Sequence, residues 1–242
     1  RLDGVHFAIR EYLDDKICLA PIYGTSPTRI LELGSVLLLY RAIDAAADFP
    51  KAQVFAVDLT SIPASPLPKN LNFQVFDVTQ GFPFEEKSFD VVHARFILMH
   101  LPNGKDVLER AAKLVKPGGW LVVEDYDMRS MIESSGPAVS HVITTWIGIL
   151  QARGADGEIG RKLESIIHNS GEFSQISTHK IPIPICNTGS VPKNLTKLGS
   201  ALKMSVKKLA DDWAQRFSAQ GITQDDAEKY KKEIDTNVRK LS

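Results

Sequence analysis

Apolar positions along this chain fall into short continuous runs separated by helix-spaced stripes, the pattern of strands alternating with helices. The first run, Arg29-Ile30-Leu31-Glu32-Leu33, ends on Gly34-Ser35. A helix-length segment follows to Phe49-Pro50, and a second run, Val54-Phe55-Ala56-Val57, ends on Asp58. Strand, turn, helix and strand with an acid at the second tip is the layout of a nucleoside-binding βαβ unit. Asn72-Phe73-Gln74-Val75-Phe76 alternates and ends on Asp77, which predicts a third strand. Phe89-Asp90-Val91-Val92-His93-Ala94 predicts a fourth, and 105–115 an amphipathic helix stopped by Lys116-Pro117-Gly118-Gly119. Those two glycines allow a tight turn into Trp120-Leu121-Val122-Val123-Glu124, a run expected of a buried parallel strand. Acids thus stand at strand C-termini, the edge where open α/β sheets bind ligands.

Helical spacing covers 2–19, with Asp3 available as a cap, before Pro21, Gly24 and Pro27 break the chain. A proline- and serine-rich loop fills 61–69. Downstream, 139–152 reads as a helix closed by Gly154 and 159–169 as another closed by Gly171. The alternation over 175–185 predicts a sixth strand, confined to a sheet edge by Pro182 and Pro184. Two helices are expected over 195–219 and 224–240, the latter with Asp225 and Asp226 in its first turn and Arg239 and Lys240 in its last.

Composition narrows the function. The 242 residues carry 29 basic and 29 acidic side chains, a net charge of zero, which argues against a nucleic-acid partner. No apolar run approaches the ~20 residues of a membrane span. No signal peptide is visible, and because the chain starts at Arg1 its N-terminus reads as trimmed or incomplete. Cys18 and Cys186 are far apart and form no metal or redox motif, so both read as reduced, buried thiols of a cytoplasmic protein.

In this order and spacing, the segments resemble the class I S-adenosylmethionine-dependent methyltransferases, in the fungal secondary-metabolite branch that also holds methyltransferase-like regulators. The resemblance runs over roughly 2–240. It is carried by Ile30-Leu31-Glu32-Leu33-Gly34, Ala56-Val57-Asp58-Leu59, Phe76-Asp77-Val78, Ser88 to Arg95, and Leu114 to Glu124, with Lys16-Ile17-Cys18-Leu19-Ala20-Pro21-Ile22 as the approach to the first strand. It implies an α/β fold, a Rossmann-like, mostly parallel sheet with helices on both faces and helical caps at both ends. The expected organisation is one domain over 1–242: an N-terminal cap at 1–28, a core at 29–185 and a helical lid at 186–242. The cofactor implied is S-adenosyl-L-methionine, with Glu32 and Gly34 bordering its methionine end. Asp58, followed by Leu59, would take the ribose hydroxyls. Asp77 and the backbone of Val78 would hold the adenine edge, and Arg95 and Phe96 would lie near the sulfonium and the acceptor. Phe96 and Trp120 also read as core, and His93 as a satisfied buried histidine. His100 is the better candidate for a general base. Glu124 is a second catalytic candidate within the cluster Glu124-Asp125-Tyr126-Asp127.

Two features depart from that family pattern. Where the family has about three glycines, this chain keeps only Gly34 and runs through Val36-Leu37-Leu38-Leu39-Tyr40, one residue longer before Ala42-Ile43-Asp44. Those side chains are expected to fill the pocket of the methionine moiety and weaken cofactor binding. No apolar alternating run follows Lys240, so the family's last inserted strand is missing from the sequence. The expected function is methyl transfer to an O, N or C nucleophile of a small molecule. A pseudo-methyltransferase that cyclises or isomerises a metabolite is the alternative, and a non-catalytic regulator a third. A small-molecule substrate is the expected partner, with no membrane partner and a homodimer left open.

Overall fold

A computed structural model describes residues 3–34, 39–61, 66–185 and 192–236. In chain order the elements are α1 (Asp3–Tyr12), β1 (Arg29–Leu33), α2 (Leu39–Asp48), β2 (Gln53–Asp58), β3 (Leu71–Val75), β4 (Phe89–Arg95), α3 (Gly104–Lys113) and β5 (Val115–Glu124). Then come α4 (Met128–Ser134), α5 (Pro137–Gln151), α6 (Ile159–Ser170), α7 (Lys193–Phe217) and α8 (Gln224–Thr236). Among the described residues, the strands form one all-parallel sheet in the order β3-β2-β1-β4-β5. That is the expected Rossmann-like α/β class. No helix of the described residues is long and apolar enough to cross a membrane.

Two compact units emerge from the contacts. One comprises Lys16–Tyr126 and Gly154–Thr178 and contains the whole sheet; the other comprises Arg1–Asp15, Asp127–Arg153 and His179–Ser242. In the sheet unit, Ala42, Ala45 and Ala46 of α2 pack over Ile30, Val54, Ala56 and Val91 on one face, joined by Ile17, Cys18 and Ile22. Alanines let the helix lie close to the strands, and each fully buried Val, Leu or Ile contributes about 1.5–3 kcal/mol. Central β1 and β4 are almost wholly buried, as strands flanked on both sides must be.

In the helical unit, the carboxylate of Glu233 on α8 caps α5, accepting the amides of Ala138 at 2.9 Å and Val139 at 3.3 Å. Gly136 leaves the room: a Cβ there would sit 2.6 Å from that carboxyl carbon. Trp146 of α5 stacks on Trp213 of α7 with ring centroids 5.0 Å apart.

Four expectations need correcting. The N-terminal helix stops at Tyr12, because Asp14 and Asp15 adopt positive φ of 54° and 60°; the buried Ile17 and Cys18 instead join the core of the sheet unit. Residues 175–185 form no strand and none of them is buried; with Pro182 and Pro184 lacking amide donors, the alternation has no ladder to join. As a result β5, expected to be buried, is only half-buried, having β4 as its one neighbour among the described residues. The turn at 116–119 does not precede β5 but interrupts it: Val115 pairs with Phe89 and Trp120 with Val91, so four residues bulge opposite Asp90. Gly119 is required there, since a Cβ would stand 2.8 Å from the Asp90 carbonyl oxygen. Arg239 and Lys240, expected in the last helical turn, lie outside the described residues, as does Cys186.

Asp90 ties the lower edge of the sheet together. Its carboxylate accepts the amides of Thr28 and Arg29, each at 2.8 Å, the Thr28 hydroxyl at 2.7 Å and Lys116 Nζ at 2.8 Å. Burial would raise its pKa, but the bonds from Lys116, Thr28 and Arg29 override that and bring it from 3.8 down to about 2. A carboxyl whose pKa is lower in the folded state stabilises the fold above its unfolded value and loses that contribution as pH falls. Asp90→Asn should therefore lower stability at pH 7 by about 1 kcal/mol. The gap to the wild type should close between pH 4 and 2, and urea unfolding followed across that window tests it; a gap unchanged down to pH 2 would contradict this account.

Candidate active site

Parallel pairing sends every strand tip to the same edge, so the sheet itself gathers the candidate residues. Gly34 follows β1, Asp58 ends β2, Asp77 and Val78 follow β3, Arg95 ends β4 and Glu124 ends β5. His100 closes a single turn, Leu98–His100, just beyond β4. All of these lie in the sheet unit.

The centre of this edge is a line of charges inside the sheet. Glu32 of β1 lies in register with His93 of β4, and Arg95 of β4 with Glu124 of β5. Residues two apart on a strand share a face, so all four project together. His93 Nδ1 lies 3.1 Å from Glu32 Oε1, and its Nε2 3.7 Å from Glu124 Oε2. Arg95 Nε bonds Glu124, while its Nη2 donates to the Ile17 carbonyl at 2.7 Å. From α2, Arg41 Nε bonds Glu32 and Nη2 donates to the Leu33 carbonyl at 2.9 Å. Helical side chains lean toward the N-terminus, which is why Arg41 reaches back to the tip of β1.

Glu32 and Arg41 are both 0% exposed. Burial would push the Glu32 carboxyl up, but Arg41 and His93 together hold it at about 2. Glu124 likewise is held well below the usual carboxylate range, because Arg95 and His93 outweigh its burial. A carboxylate so stabilised is a poor proton acceptor, and here it is bonded to the Arg95 guanidinium. Asp125, next to it, behaves oppositely: burial pushes its carboxyl up to about 7, against the amides of Tyr126, Met99 and Leu98. His100 is solvent-exposed at its edge, and the protein crowded around it lowers its pKa from the ordinary 6.5 by desolvation.

Along the rest of the edge, Gly34 has a φ of +72°, and a Cβ would come within 2.7 Å of the Ile97 side chain, so glycine is required. Asp58 is half-buried, accepting the Thr60 amide at 3.0 Å, and Leu59 is 69% exposed. The Asp77 carboxylate caps the next turn through the amide and hydroxyl of Thr79, at 2.9 and 2.7 Å, and Val78 is buried. Phe96, expected in the core, is half-exposed with a left-handed φ of +55° and stacks on Tyr126, centroids 4.1 Å apart and planes 8° from parallel. Trp120 is also only half-buried. The Cys18 thiol is buried, and that burial raises its pKa to about 12.

Residues 36–38 of the leucine-rich turn lie outside the described residues. Leu39 and Tyr40 begin α2, and Tyr40 is 44% exposed, so its ring reaches solvent instead of filling a pocket. Sequence reading passed over Arg41. Its signal was a lone arginine among the apolar positions of a core-facing helix, a placement that demands a buried acid.

The methyltransferase domain family matches residues 37–123. Methyltransferase str3 of Strobilurus tenacellus is 42% identical over 194 residues, covering 79% of this chain and 69% of that protein. Methyltransferase str2 of the same fungus is 37% identical over 187 residues, covering 76% and 67%. The chain therefore spans about two thirds of the length of these relatives. Among solved structures, phosphoethanolamine N-methyltransferase 2 of Haemonchus contortus aligns with a TM-score of 0.55 at 17% identity, over 96% of this chain and 52% of that one, a likeness of fold.

Removing one partner of a fully buried ion pair strands the other charge. Arg41→Met should cost about 3–5 kcal/mol in urea unfolding, and adding Glu32→Gln should recover much of the loss. A loss below about 1 kcal/mol for the single variant would show that the pair is not the anchor described.

Proposed function

We propose that this chain, which belongs to the S-adenosylmethionine-dependent methyltransferases of fungal secondary metabolism, transfers a methyl group to an O, N or C nucleophile of a small molecule. The observation that carries the reading is the ordered set at the upper sheet edge: Gly34 follows β1, Asp58 ends β2 and Asp77 follows β3, three adjacent strands. A turn open only to glycine beside two strand-tip acids fits the nucleoside end of the cofactor. Asp58 would accept the ribose hydroxyls beside the exposed Leu59, and Asp77 with the Val78 backbone would hold the adenine edge.

When bound, the cofactor supplies an electrophilic methyl group, so the chain's residues need only place the acceptor in line and take its proton. His100 suits the second task, because its lowered pKa leaves the imidazole neutral near pH 7. Arg95 acts through Glu124, holding the ends of β4 and β5 together, and the Phe96–Tyr126 stack gives the acceptor side a flat apolar wall.

One observation favours the second reading. Glu32 borders the methionine end but is already closed off by Arg41, so a ligand's ammonium group gains no fresh carboxylate there. A chain that cannot hold the amino-acid tail would run a cofactor-independent cyclisation or isomerisation.

Calorimetric titration with S-adenosylmethionine and S-adenosylhomocysteine decides between them. Methyl transfer requires binding by the wild type that Asp58→Ala weakens by about tenfold or more, the loss of a charge-assisted pair. No heat at millimolar ligand would remove methyl transfer and leave the second reading.

A further inference from the structure

One carboxylate at the upper edge has no place in the chemistry above. Asp125, just past β5, accepts the Met99 amide on Oδ2 at 3.2 Å and the Tyr126 amide on Oδ1 at 2.9 Å. The Leu98 amide also bonds it. Leu98 and Met99 open the single turn that ends at His100, and Ile97, which precedes that turn, offers no side-chain cap. Asp125 thus supplies from a neighbouring strand the cap the turn lacks. From below, Gly104 at the start of α3 meets the same turn: a Cβ there would lie 2.4 Å from the Leu98 carbonyl oxygen and 3.3 Å from Ile159 of α6. The turn is gripped from both sides, by a carboxylate on its amides and a glycine against its carbonyl.

We propose that Asp125 is a positioning residue, fixing the Leu98–His100 turn and with it the imidazole of His100. The proposal rests on the reading of His100 as proton acceptor. An ionised carboxylate accepts amide bonds roughly twice as strongly as a neutral acid, so the grip depends on the charge of Asp125. Burial pushes that carboxyl up to about 7. The charge is therefore present above pH 7 and lost as pH falls below it. Of the charged or titratable groups, Glu124 and Tyr126 adjoin it in sequence, Tyr126 also feels Arg95 of β4, and His100 ends the turn whose amides it accepts. The contacts from α3 and α6 come from Gly104 and Ile159, neither of which is charged.

Amide hydrogen exchange on the whole chain between pH 6 and 8, corrected for intrinsic rates, tests the proposal without cofactor or acceptor. Protection of the Met99 amide should fall about five- to tenfold from pH 8 to pH 6. Asp125→Asn should hold it at the low value throughout. In the same variant the His100 imidazole, followed by NMR, should titrate closer to an ordinary histidine, because a loosened turn is better solvated. Met99 protection that ignores pH in the wild type would overturn the proposal, and that series stands alone if the variant does not fold. So would an Asp125→Asn protein with unchanged Met99 protection and His100 titration. Either result leaves methyl transfer to be judged by calorimetry.

Discussion

The upper edge of this sheet depends on pairing two carboxylates, Glu32 fully buried and Glu124 mostly so. Glu32 and Glu124 sit on strands separated by β4, and each is matched by one guanidinium, Arg41 or Arg95, with His93 between them. An unmatched charge in such a place costs several kcal/mol, so the arrangement works only if all five residues arrive together. That requirement fixes the register of β1 against β4 and of β4 against β5. A slip of one residue would turn Glu32 to the other face and strand it among Leu31, Leu33 and their neighbours.

The two edges of the sheet use charge differently. At the lower edge Asp90 draws the start of β1 and the bulge of β5 onto β4 with bonds that are partly solvated. At the upper edge the Glu32–Arg41 pair is dry while Glu124 keeps a quarter of its side chain exposed, and the reach of Arg95 to the Ile17 carbonyl fastens the approach to β1 as well. The tips of β1, β4 and β5 are thereby linked through Glu32, His93, Arg95 and Glu124. Asp58, half-buried, and Leu59, exposed, stand outside that line of charges.

Much of this was legible beforehand because it obeys simple periodicities. The five parallel strands follow from apolar runs, with only the start of β5 misplaced, and α2, α3 and α5 to α8 follow from helical spacing and stop signals. Other features escape a sequence reading for physical reasons. The alternation at 175–185 signals a strand only if a neighbour offers a ladder, and none does among the described residues. The glycines at 118 and 119 signal a turn, but parallel pairing lies on both sides of them and makes the segment a bulge. Nor can sequence show that Arg95 lies across from Glu124. Glu124, an acid beside a guanidinium, and Asp125, an acid beside amides, read alike in one dimension and titrate far apart in three.

The left-handed backbone of Phe96 also limits how this protein can drift. A positive φ is tolerated by glycine and asparagine, and costs about 1–3 kcal/mol for a bulky residue, most for a β-branched one. Most single-step replacements that keep an apolar side chain at this position, valine or isoleucine above all, would worsen the strain while losing the flat face against Tyr126. Glycine or asparagine would relax the backbone and abandon the stack. Position 96 therefore sits in a narrow valley of sequence space, where aromatic replacements such as tyrosine keep both halves of the arrangement and nearly every other neighbour gives up one of them.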